Sequence, residues 1–173
     1  MPLNIHPLIV HTPVGLLSLY SFLEIISIKR LQSLPYWFYV KAILVIFGSL
    51  GTFAALGSGK LIEDQFASRL LETHAWFAVA TTLVYLVLAA SYLLTWFRWE
   101  INKYLEKTYF KQIWLLFDKL REFIMKRSIL FCLSGLGFVF LSITGALGGA
   151  LAYGPDVDPM VRFIYDLFFG DKK

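Results

Sequence analysis

Residues 75–97 read AWFAVATTLVYLVLAASYLLTWF, 23 positions without one charged side chain. At 1.5 Å per residue, a helix of that length crosses the roughly 30 Å hydrocarbon core of a bilayer. A helix on the surface of a soluble bundle would repeat polar residues along one face, and this stretch has no such stripe. It reads as a membrane span. Three more apolar runs flank it in sequence: 7–28, broken only by Glu24, then 42–59 and 128–155. The bulk figures agree, with 58% apolar residues and a mean hydropathy of +0.66, well above a soluble domain. The expected fold class is all-α. It is a four-transmembrane-helix bundle forming one integral membrane domain over residues 1–173, with spans over about 7–29, 37–59, 74–97 and 128–153.

The segments between the spans complete the plan. The polar insertion over 99–126 carries Lys103, Lys107 and Lys111 at four-residue spacing, with Tyr104, Phe110, Ile113, Trp114 and Phe117 roughly opposite. It is expected to form one or two amphipathic helices at the headgroups between spans three and four. The tail over 157–173 reads as a further amphipathic segment, resting on the membrane or on a partner subunit. No cleavable signal is expected, because no Lys or Arg precedes the first apolar run. The one cysteine, Cys132, lies inside span four and reads as a small packing residue.

Charge predicts orientation. Lys29, Arg30 and Lys41 flank the turn between spans one and two, and eight basic residues lie between Arg98 and Arg127. The other side holds Lys60, Arg69, Arg162, Lys172 and Lys173. By the positive-inside rule both termini are expected outside the cytoplasm. The net charge of +4 is then a topology signal, and no nucleic-acid partner is implied. Glu24, close to Lys29 and Arg30, reads as an interfacial acid. The string GSGK at 57–60 invites a phosphate-loop reading, which fails. A phosphate loop needs glycine where Ala54 stands and Ser or Thr where Leu61 stands.

Chemistry gathers at the expected external side. His6 and His11 open span one and His74 opens span three, with Ser68 or Thr73 as its cap. Five helical residues turn about 140°, so His6 and His11 should not share a face, although Pro7 and Pro13 loosen that geometry. Spans two and four both end in glycine on the same side. This is a weak internal echo of the histidine pair and falls short of a strong repeat. Gly145, Gly148 and Gly149 make close approach possible along span four.

Two imidazoles from different helices beside a glycine-lined face suit axial ligation of one b-type haem. The expected ligands are His11 and His74, with His6 supporting or exchanging with His11. Tyr153 is a candidate hydrogen-bond donor to a propionate or quinone, and Arg69 and Arg162 are candidate propionate partners. The alternative chemistry is a zinc or copper site using the histidines with Glu63, Asp64, Asp156 or Asp158. A third reading has no cofactor, with the histidines capping helix ends.

Three features together resemble a widespread bacterial membrane family catalogued as domain of unknown function 2231. They are HPLIVHTPVGLL at 6–17, the histidine opening span three, and GxxGGxLxYGxxV at 145–157. The resemblance covers the four spans and implies a four-helix protein of the bacterial inner membrane. Family members typically carry Phe where Thr12 stands and a more basic pair near Pro155. The layout is also similar to small cytochrome b anchors. By that analogy of architecture, the expected function is a non-catalytic subunit relaying electrons between the quinone pool and an extracytoplasmic redox partner. The alternatives are a cofactor-free structural or assembly subunit of a larger membrane complex, and a metal-binding accessory protein.

Overall fold

The computed structural model describes residues 6–26, 29–60, 68–105 and 111–170. Over these the chain forms eight helices and no strand: α1 (His6–Ile25), α2 (Lys29–Gln32), α3 (Trp37–Lys60), α4 (Arg69–Trp96), α5 (Arg98–Leu105), α6 (Lys111–Ile124), α7 (Arg127–Tyr153) and α8 (Pro159–Phe169). Helices α1, α3, α4 and α7 are long and apolar enough to cross a membrane. They are the four spans expected from sequence, with shifted ends. Helix α1 stops at Ile25, and α4 starts five residues before His74 because the Ser68 side chain accepts the Leu71 N–H at 3.2 Å. Helix α7 ends where Gly154 takes φ 92°, a conformation that glycine adopts without strain. Asp158 then caps α8 by accepting the Met160 and Val161 N–H groups, and Pro159 fills the first helical position.

The insertion resolves into α5 and α6, and the tail into α8. Helix α6 is tied down by Asp118, which accepts from Arg98 at 2.9 Å and from Arg121 at 2.8 Å. Trp114 adds a bond to Asn102 on α5. Lys107, Phe110, Glu63, Asp64, Lys172 and Lys173 lie outside the described residues.

Packing follows a ring. Helix α1 packs on α3 and α4 on α7, and these two hairpins join through α3 against α4 and α1 against α7. Small residues set the close approaches. A Cβ added at Gly48 would lie 2.5 Å from the Leu17 side chain, and one at Gly51 would lie 2.9 Å from Pro13. Helix α1 runs unbroken through Pro13, whose ring is buried against α3. The core is built on Tyr20, Tyr85 and Tyr92, all essentially inaccessible, with Tyr20 edge-on to Tyr85 at 6.3 Å and to Tyr92 at 5.8 Å. Buried hydroxyls need partners. The Tyr85 hydroxyl finds Ser21 at 2.7 Å, and the Tyr92 hydroxyl donates to Glu24 at 2.8 Å.

The two hairpins share a set of equivalent positions. A shift of 68 residues carries Leu17 to Tyr85, and one of 89 carries Gly48 to Gly137. Leu17 lies against Gly48, and Tyr85 lies 2.9 Å from a Cβ built on Gly137. The shift of 68 also maps the buried residues Pro13, Leu17, Tyr20 and Ser21 of α1 onto Thr81, Tyr85, Leu88 and Ala89 of α4, which are all buried. It carries Glu24 to Tyr92, and those two side chains bond to each other across the bundle. The arrangement is a pseudo-two-fold about the bundle's long axis. The echo read in the sequence is a repeat at the level of packing.

Candidate functional site

The same two shifts carry His6 to His74 and Gly59 to Gly148, and each histidine lies against its glycine. A Cβ at Gly59 would sit 3.3 Å from Cε1 of His6, and one at Gly148 would sit 3.1 Å from Cε1 of His74. A Cβ at either glycine would crowd its ring, which would have to give by a few tenths of an ångström. Both rings stand at the end of the bundle where α1 and α4 begin and α3 and α7 finish. They are near enough to interact electrostatically.

Hydrogen bonds fix the rings. Nδ1 of His74 lies 3.0 Å from the Thr144 carbonyl. A carbonyl only accepts, so Nδ1 carries the proton and Nε2 carries the lone pair. Thr144 also brings its hydroxyl to 3.2 Å from that of Thr81, and each threonine donates back to its own helix. Nδ1 of His6 lies 2.8 Å from the Ser58 hydroxyl, which also bonds to the Ala55 carbonyl at 3.0 Å. Which atom donates in the His6–Ser58 contact depends on the tautomer of the ring. Burial holds the His6 imidazole below its ordinary value of 6.5. A neutral imidazole with its lone pair at Nε2, as at His74, is a suitable donor for haem iron or another transition metal.

The other expected residues disperse. His11 is exposed on α1 and does not share the face of His6. Gly145 faces open space, Gly149 receives Val161 of α8 at 3.2 Å, and only Gly148 meets a histidine. The three glycines thus do not line one common space. Tyr153 is 75% exposed and Arg69 is exposed. Arg162 reaches Asp156 at 3.5 Å and Asp166 at 3.8 Å on the exposed side of α8. Among the described residues, no three His, Cys, Asp or Glu side chains group as a metal site.

Two features escaped sequence reasoning. Ser58 and Thr144 were passed over, although each stands near the glycine that seats its histidine. Glu24 was expected beside Lys29 and Arg30. Instead its Oε2 sits 2.8 Å from Lys41 and 2.8 Å from the Tyr92 hydroxyl, and its side chain is only 7% exposed. The Lys41 ammonium also lies 5.8 Å from the centre of the Tyr92 ring. This buried ion pair joins α1, α3 and α4 at the end opposite the histidines. These partners come from other helices, 17 and 68 positions away in sequence.

No curated protein and no solved structure matches this chain. A family described as a predicted membrane protein, DUF2231, matches residues 2–158, which include all four spans and both histidine–glycine contacts. The chain belongs to that family, and it carries four helices long and apolar enough to cross a membrane.

Proposed function

We propose that this protein is an electron-relay subunit holding one b-type haem between His6 and His74, near the extracytoplasmic face of a bacterial inner membrane. It would pass electrons between the quinone pool and a redox partner outside. The observation that supports this is the pairing of equivalent imidazoles from two equivalent hairpins at one end of the bundle. His6 and His74 would hold such a group by equivalent side chains from two helices, and it would supply one-electron chemistry there. His6 replaces His11 as the partner of His74 because His11 is exposed and does not share the inward face. The chain's part is to present two neutral nitrogens, hold each ring through Nδ1 and exclude lipid from between them. Arg69 and Arg162 are the candidate propionate partners at that end. The Lys and Arg excess around α2, α5 and α6 supports the orientation.

The test is the visible spectrum of protein purified from cells supplied with a haem precursor. The expected result is a b-type reduced-minus-oxidised difference spectrum that His6→Ala and His74→Ala each abolish and His11→Ala retains. A featureless wild-type spectrum rejects the proposal. It would favour a cofactor-free assembly subunit, a reading supported by the rings themselves filling the spaces at Gly59 and Gly148.

A further inference from the structure

The insertion between α4 and α7 holds the whole of the chain's charge excess. Residues 98–127 carry eight basic and four acidic side chains, a surplus equal to the net +4 of the full sequence, so basic and acidic residues balance over the rest of the chain. Pairing within the insertion neutralises little of this surplus. Asp118 takes both Arg98 and Arg121. Lys103, Lys111, Lys119, Lys126 and Arg127 are exposed and, among the described residues, form no ion pair. Two of them lie over exposed rings instead: the Lys103 ammonium stands 5.6 Å from the centre of Trp99, and that of Lys126 stands 5.5 Å from the centre of Phe123.

These cations border an apolar surface that leads onto the spans. Helix α6 exposes Ile113, Leu116, Leu120 and Phe123, and it packs on α4 and α7, which expose Phe97 and Phe131 near the same end. Exposed apolar side chains on a spanning helix meet acyl chains, so a surface continuous with them has lipid as its neighbour and holds the adjoining cations at headgroup height. The scaffold is fixed, because Arg121 is only 6% exposed and donates to Asp118 at 2.8 Å. We propose that α5 and α6 form a docking surface for anionic phospholipid, with acyl chains against the apolar stripe and the headgroups' negative charge against the unpaired Lys and Arg side chains. A zwitterionic headgroup brings an ammonium with each phosphate and leaves the surplus uncompensated, whereas an anionic one supplies net negative charge at that height. An acidic soluble protein would also satisfy the cations; the apolar stripe running toward the spans is what favours lipid. The surface lies at the opposite end of the bundle from the histidines, and the proposal stands whether or not haem is bound.

The experiment places full-length protein in nanodiscs of phosphatidylcholine alone, or of phosphatidylcholine with about 30% phosphatidylglycerol of the same acyl chains, and follows amide exchange by mass spectrometry. A cation at an anionic surface shifts docking about fivefold. Amides of α5 and α6 should therefore exchange at least about fivefold more slowly in the anionic disc, and about 0.5 M salt should remove the difference. Lys111→Gln combined with Lys119→Gln and Arg127→Gln should remove it as well. The four spans should exchange alike in every sample, which reports that the variant is folded. Equal exchange of α6 in the two discs overturns the proposal, and so does a slowing that survives salt or the triple substitution. Amides of α6 as open in both discs as in detergent would also overturn it and give this face to a protein partner. If the triple variant does not fold, the wild-type comparison with and without salt decides alone.

Discussion

At the scale of single residues, three sites carry distinct physical loads. Glu24 and Lys41 form an ion pair with side chains only 7% and 14% exposed. Removing one partner strands a buried charge, so Glu24→Ala should destabilise the bundle by about 3–5 kcal/mol. The double variant Glu24→Leu with Lys41→Met should recover most of the loss, read as unfolding temperature in detergent. Gly137 is the second. A Cβ there would lie 2.9 Å from Tyr85, whose hydroxyl is committed to Ser21 at 2.7 Å. Because the ring is anchored, Gly137→Ala should cost about 1–3 kcal/mol, whereas Gly135→Ala, with nothing within 4 Å, should not. His6 is the third. Its folded value lies below 6.5, so the unfolded chain binds the extra proton first. Its contribution to stability is complete above pH 6.5 and is lost as pH falls from there toward the folded value. Unfolding temperature should drop across that window, and His6→Gln should flatten the drop.

At the scale of elements, α6 and α8 are the informative ones, because each shows three faces. On α6, Trp114, Arg121 and Ile124 turn to the bundle, and Ile113, Leu116, Leu120 and Phe123 form an exposed apolar stripe. Lys111, Lys119 and Glu122 take the remaining side. On α8, Val161 is buried while Met160, Phe163 and Leu167 are exposed and apolar, and Arg162 and Asp166 point elsewhere. A helix with a docked, an apolar and a charged face fits the membrane–water boundary, where its three surroundings are protein, lipid and water. Spin labels at Leu116 and Leu120 should be relaxed more by oxygen than by an aqueous nickel chelate, and labels at Lys119 and Glu122 should show the reverse. The docking of α6 hangs on Asp118. Burial alone would raise its carboxyl, but hydrogen bonds from Arg121 and Arg98 hold it below the ordinary carboxylate range. That contribution is present at neutral pH and is lost as pH falls through the lowered value. Asp118→Asn should speed amide exchange in α6 while leaving the four spans protected.

At the scale of the whole molecule, the pseudo-two-fold explains why the two histidines lie where they do. Equivalent residues on α1 and α4 face each other across the axis, as the bond between Glu24 and Tyr92 demonstrates at one end. His6 and His74 occupy the corresponding places at the other. A repeat of this kind was hard to read from sequence, because equivalence resides in packing contacts: Leu17 matches Tyr85 and Pro13 matches Thr81, pairs with no chemical likeness. His6 with His74 and the glycines at 48 and 137 and at 59 and 148 keep their identity, since ring seating and helix contact both require it, and Leu44 with Leu133 is a further identical pair.

What the chain alone determined was everything that depends on local composition. The four apolar runs, the amphipathic insertion and tail, the cap at Ser68 and the stop at Gly154 follow from hydropathy, helical periodicity and backbone freedom, which act over a few residues. Which histidine faces inward, which carbonyl receives its proton and which cation neutralises Glu24 were decided only by tertiary structure. Those partners lie 17 to 70 positions away in sequence. Hydropathy sets how deep a helix sits, but rotation about its own axis is set by how neighbouring helices pack, and that rotation turned His6 toward the axis and His11 away.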